Sequence, residues 1–178
     1  MPDDRVEELE RQLEQARAET RASFENRALM YAYIYDELEA EIGQERAVDV
    51  MKRAIFRRGL EVGRRYKAAA QAGDLDEVGR LFIEGSPSEG ALFEPAVDEA
   101  PQGGRTVLRM TACPLADAWK DAGYGAEKID LLCDIAAAVD EGTFEGAGLD
   151  LKFLDRKACA GSDRCLLELK LREGVGTD

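Results

Sequence analysis

Three stretches in the second half of the chain carry the residues best suited to chemistry: CPLADAW at 113–119, LCDIAAAVDEG at 132–142 and GSDRC at 161–165. The chain has no histidine. Proton transfer, nucleophilic attack and metal ligation therefore fall to Cys, Asp, Glu, Lys or Tyr. All four cysteines, Cys113, Cys133, Cys159 and Cys165, lie in this half. Cys133 and Asp140 are seven residues apart on one expected helix, and two turns bring them to nearly the same face. Ala136, Ala137 and Ala138 between them leave room beside that helix, so a thiol and a carboxylate over a small-residue floor can line a pocket. The plainer alternative is a buried core cysteine and a surface acid.

Cys113 ends an expected strand where a helix begins, a junction that exposes backbone N–H groups; it too has a plain reading as a buried cysteine. Cys165 opens the last strand. Cys159 precedes it in a C-x5-C spacing, which is not a tight zinc knuckle. Sulfur from Cys113, Cys133 or Cys165 with oxygen from Asp140 is chemically able to hold zinc or another divalent metal. RRG at 57–59 and Arg64–Arg65 form a basic stretch, and arginine suits bidentate recognition of a carboxylate. The alternative there is a set of solvated charges paired with Glu61 and its neighbours. Tyr31, Tyr33 and Tyr35 cannot all face inward from one helix; Tyr35 is the candidate for a pocket wall.

The elements that must position these groups follow from apolar periodicity. Residues 4–22 read as an exposed helix with Val6, Leu9, Leu13 and Ala16 at heptad-like spacing, either a solvated helix or an oligomerisation arm. Residues 23–178 read as a single domain. Helices are expected over 24–42, over 45–72 and, after Gly73–Asp74, over 75–84. ALFEPAVDEA and RTVLRMTAC read as strands around the turn PQGG, the second with Leu108, Met110 and Ala112 inward and Val107, Arg109 and Thr111 outward. Pro114 starts a short helix that closes at Gly123, and a longer one covers about 126–141. A last hairpin carries Leu149, Leu151 and Phe153 on one face and Cys165, Leu167, Leu169 and Leu171 on the partner face. The expected fold is α+β: N-terminal helices, then a β-β-α-α-β-β unit with an antiparallel sheet and helices on one side.

Composition narrows the function. A net charge of -13 argues against nucleic acid and against anionic membrane surfaces. It also means that an anionic small molecule would need a local arginine. No apolar run is long enough to span a bilayer. The charged start MPDDRVEELERQLEQ is not a secretory signal, so the cytoplasm is the expected compartment, where thiol or metal chemistry is a better reading than disulfides.

Over about residues 27–170 the chain resembles the L-2-amino-thiazoline-4-carboxylic acid hydrolase family. The resemblance rests on RALMYAYIYDELEAEIG, AIFRRGLEVGRR, CPLADAWKDAG, LCDIAAAVDEG and GSDRCLLEL in that order, with the CPLADAW block the most specific. The second half also looks like the small-molecule-binding domains related to 4-vinyl reductases, some of which bind zinc. The resemblance implies an enzyme that hydrolyses a small cyclic C–N/C–S substrate, of the type of 2-aminothiazoline-4-carboxylate opened to N-carbamoyl-cysteine. On that reading Cys133 is the candidate nucleophile or metal ligand and Asp140 the general base or ligand. Cys113 and Cys165 are supporting thiols or ligands, and Arg57 or Arg109 holds the substrate carboxylate. The alternative is a non-catalytic small-molecule- or metal-binding module using the same pocket.

Overall fold

The computed structural model describes residues 2–158 and 162–172, so Cys159 lies outside the described residues. The expected helices at 4–22 and 24–42 are one helix, α1, Pro2–Ile42. Nothing at the expected junction interrupts it: there is no Gly or Pro, and Thr20 and Ser23 turn their hydroxyls back onto the carbonyls of Ala16 and Glu19. At 1.5 Å per residue it is about 60 Å long. Its second half packs on the body through Ala28, Ala32 and Tyr35, all fully buried. Its first half projects. Val6, Leu9 and Leu13 are 52%, 55% and 48% exposed, and no described element covers that stripe.

The expected helix 45–72 is interrupted after Gly63, giving α2 (Gln44–Gly63), a turn, and α3 (Lys67–Gln71). Then come α4 (Leu75–Glu84), capped by the Asp74 side chain accepting from the Glu77 N–H at 2.9 Å, and a tight turn at Pro87–Gly90. Strand β1 starts at Pro95, later than the sequence pattern suggests, because Ala91–Phe93 are taken up by the preceding turn; it runs to Gln102. After Gly103–Gly104 follow β2 (Arg105–Met110), α5 (Pro114–Asp121), α6 (Ala126–Ala147), β3 (Leu149–Asp155) and β4 (Cys165–Leu171). The four strands form one antiparallel sheet in the order β1-β2-β4-β3. Gly148, at φ +91, supplies the left-handed turn that lets α6 pass directly into β3. The architecture is α+β, as the element pattern implies.

Leu108, Leu167, Leu169 and Leu149 face the helices, as their alternation requires. Val107, expected to face outward, does lie on the opposite side but is also buried, flanked by Arg105 and Arg109, each engaged by a carboxylate. The core has two clusters. One is helical, built from α1, α2, α5 and α6 around Trp119, whose indole N–H donates to the Ala28 carbonyl at 2.8 Å. The other lies between the sheet and α3, α4 and the end of α6, around Phe144.

Helix α6 belongs to both clusters and is fixed by its contact with α2. The two backbones meet at glycines. A Cβ on Gly59 would run into the Val139 carbonyl oxygen, one on Gly63 into that of Thr143, and one on Gly142 into that of Phe56. This is why α6 continues to Ala147, past the 141 suggested by its apolar run: Gly142 and Gly146 are its packing surface, not its end. Gly59→Ala or Gly142→Ala is expected to lower stability by ~3 kcal/mol or more in urea unfolding, because backbone must move to admit the methyl. Gly125→Ala, facing open space, is expected to cost within ~1 kcal/mol.

Candidate functional site

Between the two core clusters lies a cavity of about 270 Å³. Its walls come from nearly every element: Phe24, Arg27 and Tyr31 of α1, Ile55 and Arg58 of α2, Tyr66 and Phe82, the Gly85–Pro87 loop with Phe93, and Met110, Cys113 and Trp119. The α6 face supplies Cys133, Ala136, Ala137 and Asp140, and the last hairpin Phe153, Arg156 and Cys165. Cys133, Asp140, Cys113 and Cys165 therefore share one cavity, and the alanines between Cys133 and Asp140 form part of its lining. Arg57, Arg109 and Tyr35 are elsewhere. Arg57 points into a separate shallow depression beside Leu60 and Glu141. Arg109 is on the far face of the sheet, paired with Asp98 at 3.2 Å. Tyr35 is fully buried, with its hydroxyl donating to Glu39 at 2.6 Å and Lys128 3.8 Å from its ring centroid. The guanidinium groups that do line the cavity are those of Arg27, Arg58 and Arg156. Arg58 is the immediate neighbour of the expected Arg57; the helical phase that separates them is set by Gly59 facing α6, a contact not visible in the basic run itself.

Three physical effects set the state of the reactive groups. The first is burial. The Asp140 carboxyl lies deep in the fold with only its cavity side open, and its pKa is raised to about 7, by desolvation first and by the neighbouring Glu141 charge second. No donor among the described residues holds it. The second effect is mutual proximity of the thiols. Cys133 is pushed up to about 12 by burial and then by Cys165 and Cys113, against the pull of Arg156. Cys165 is pushed up to about 11 by burial, Cys113 and Asp140 among others, although the Lys157 N–H donates to its sulfur at 3.3 Å. The third effect is the helix start. Cys113 precedes α5, and the N–H groups of Ala116 and Leu115 partly offset the burial that raises its thiol, without closing a capping hydrogen bond. The Tyr66 phenol is raised by burial and also responds to Asp140. Around neutrality the cavity thus holds protonated thiols and a carboxyl divided between its two forms.

Arg156 is locked from behind. It reaches Asp134 at 3.0 Å and Asp130 at 3.2 Å, and Lys52 meets Asp134 from α2 at 3.0 Å. Backbone conformation is unusual on the opposite rim, where Ser88, Glu89 and Glu94 have positive φ within the segment that supplies Pro87 and Phe93. Glu89 is tied to α1 by Arg17 at 2.7 Å. Among the described residues no three Cys, Asp or Glu side chains are gathered as a metal ion requires. Cys113, Cys133, Cys165 and Asp140 line one cavity without being gathered in that way. No helix among the described residues is long and apolar enough to cross a membrane.

Known proteins resemble this chain in fold and, by one family, in sequence. Among solved structures, one similar in fold is a trafficking protein particle complex subunit 3 from Naegleria fowleri, covalently bound to palmitic acid. It has 10% identity and a TM-score of 0.56, covering 88% of this chain and 99% of that one. The phenol-responsive sensory domain of the transcription activator PoxR with phenol has 14% identity and a TM-score of 0.44, covering 81% of this chain and 73% of that one. No curated protein matches. The sequence model described as L-2-amino-thiazoline-4-carboxylic acid hydrolase matches residues 21–168.

The raised Asp140 carboxyl has a stability consequence. Its proton is bound more tightly folded than unfolded, so its contribution is fully present below the ordinary value of 3.8 and is lost as pH rises through about 7. Asp140→Asn should therefore stabilise the protein more at pH 8.5 than at pH 4, by up to ~4 kcal/mol at the alkaline end. Paired urea titrations at the two pH values measure this. Equal effects would show that the carboxyl titrates normally.

Proposed function

We propose that this chain, which belongs to the L-2-amino-thiazoline-4-carboxylic acid hydrolase family, opens a small sulfur-containing heterocycle by water attack in this cavity, with Asp140 as general base. The observation that carries the reading is Asp140 itself, a cavity-facing carboxyl with no donor among the described residues and with its pKa raised to about 7. Such a group can both take and return a proton near neutrality. For 2-aminothiazoline-4-carboxylate, the carboxylate of Asp140 takes a proton from water as the water oxygen bonds to the ring carbon between nitrogen and sulfur. The C=N electron pair moves to the ring nitrogen as that bond forms. The C–S bond then breaks with its electron pair staying on sulfur, while the added hydroxyl becomes the carbamoyl C=O. The hydroxyl proton goes to the ring nitrogen and the proton held by Asp140 to the sulfur. The product is N-carbamoyl-cysteine, the substrate plus one water.

Water is favoured over a cysteine nucleophile by the state of the thiols. Burial pushes the Cys133 thiol far above neutrality, so little of it is thiolate at pH 7. Cys133, Cys113 and Cys165 are assigned instead to the wall beside the ring sulfur, as small polarisable groups. The second reading, a module that binds a small molecule without converting it, is favoured by the aromatic and aliphatic side chains that make up most of the cavity wall.

Mass spectrometry of 2-aminothiazoline-4-carboxylate incubated with the protein separates the readings. Gain of one water is expected, with a rate that rises as pH passes through about 7, since the base must be ionised. Asp140→Asn is expected to lose ~10²-fold or more in kcat, while Cys133→Ala retains turnover within about tenfold. Abolished turnover in Cys133→Ala alone would make the thiol the nucleophile. Bound substrate recovered unchanged from wild-type protein would favour the binding module.

A further inference from the structure

We infer that Arg27, with Tyr31 beside it, is the subsite for a substrate carboxylate, so that the cavity selects acids with the anionic end toward α1 and the reacting end toward Asp140; this rests on the hydrolase reading. Three guanidinium groups line the cavity, and their partners differ. Arg156 is balanced by Asp130 and Asp134. Arg58 is tied to Glu61 at 3.2 Å. Arg27 has no carboxylate within ion-pair distance among the described residues, although the chain carries 37 acidic residues against 24 basic ones. A cation left uncompensated in so acidic a chain, on a cavity wall, is placed to receive an anion from outside.

Its surroundings fix it for that purpose. The guanidinium carbon sits 4.0 Å from the centroid of the Phe24 ring, and Phe24 is itself braced edge-on by Phe93 at 5.3 Å. Stacking of this kind holds the fork while leaving its N–H edges available. The Tyr31 phenol, half-buried on the same wall, feels the Arg27 charge, which opposes the upward push of burial on its pKa. Arg27 is exposed and therefore at the opening, whereas Asp140 is deep. A ligand whose carboxylate pairs with Arg27 has its other end turned inward, toward the wall that carries Asp140 and the thiols. Because the molecule as a whole repels anions, this local cation also accounts for how an acid enters at all.

Titration calorimetry with 2-aminothiazoline-4-carboxylate and with 2-aminothiazoline, which lacks the carboxylate, tests the assignment without requiring turnover. Wild-type protein is expected to bind the acid about 10- to 100-fold more tightly than the amine. Arg27→Gln should remove that difference and leave amine binding unchanged, while Arg27→Lys should restore part of it; in the hydrolysis assay the change should fall on KM more than kcat. Equal affinities for acid and amine, no binding of the acid, or an unaltered Arg27→Gln would overturn the inference. So would an equal loss in Arg57→Gln, whose side chain lies outside the cavity, since that would mark an effect of net charge. The hydrolase reading fails separately: acid bound through Arg27 but recovered intact refutes hydrolysis and supports the subsite. Turnover with a KM indifferent to Arg27 does the reverse.

Discussion

The backbone contact between α2 and α6 sets the position of everything else. Glycines at 59 and 63 on one helix and at 142 and 146 on the other allow carbonyl groups to sit where side chains would normally keep helices apart. Helix α6 is thereby held at one depth and one rotation. Its remaining faces are then committed: Leu132 and Ile135 to the helical cluster, Phe144 and Ala147 to the sheet cluster, and Cys133, Ala136, Ala137 and Asp140 to the space left between. The cavity is the gap between two cores that share a helix, and its chemistry is whatever that helix presents.

The same geometry explains the electrostatic regime. An isolated carboxylate in a low-dielectric wall is costly, and the fold does not relieve the cost with a donor. It does relieve Arg156, whose two aspartates lie on the first turns of the same helix that carries Asp140. Helix α6 thus satisfies charge at one end and leaves it unsatisfied at the other. The thiols compound the effect: Cys113 opposes a thiolate on Cys165, and both oppose one on Cys133. Proton affinity, not standing negative charge, is what this arrangement stores.

Much of the fold is legible in the sequence because it rests on local rules. The alternation of Leu167, Leu169 and Leu171, Pro114 at a helix start and the spacing of Cys133 and Asp140 all have direct structural counterparts. What is not legible depends on contacts distant in the chain. Gly63 reads as a helix interior and Gly142 as a helix end; only the approach of the partner backbone shows both to be packing surfaces. Arg57 and Arg109 attract notice as basic residues near the right blocks, yet one helical step and one strand face place them outside the cavity. Arg27 stands at the head of a recognisable block and attracts none, because its distinction is that no carboxylate among the described residues pairs with it, which no single-chain pattern displays. The pKa of Asp140 is likewise set first by depth, with the adjacent Glu141 only the second cause.

The two ends of the cavity differ in how freely they can change. Asp140 stands two residues from Gly142, inside the seam where a single methyl displaces backbone. Arg27 stands on α1, away from that seam and exposed to solvent. Divergence in such an architecture is asymmetric: the α6 end of the cavity is inherited almost as a fixed part, while the α1 end can drift residue by residue. Chains built on this frame would be expected to keep the α6 wall of the cavity and to vary the exposed wall, and with it the molecules the cavity can admit.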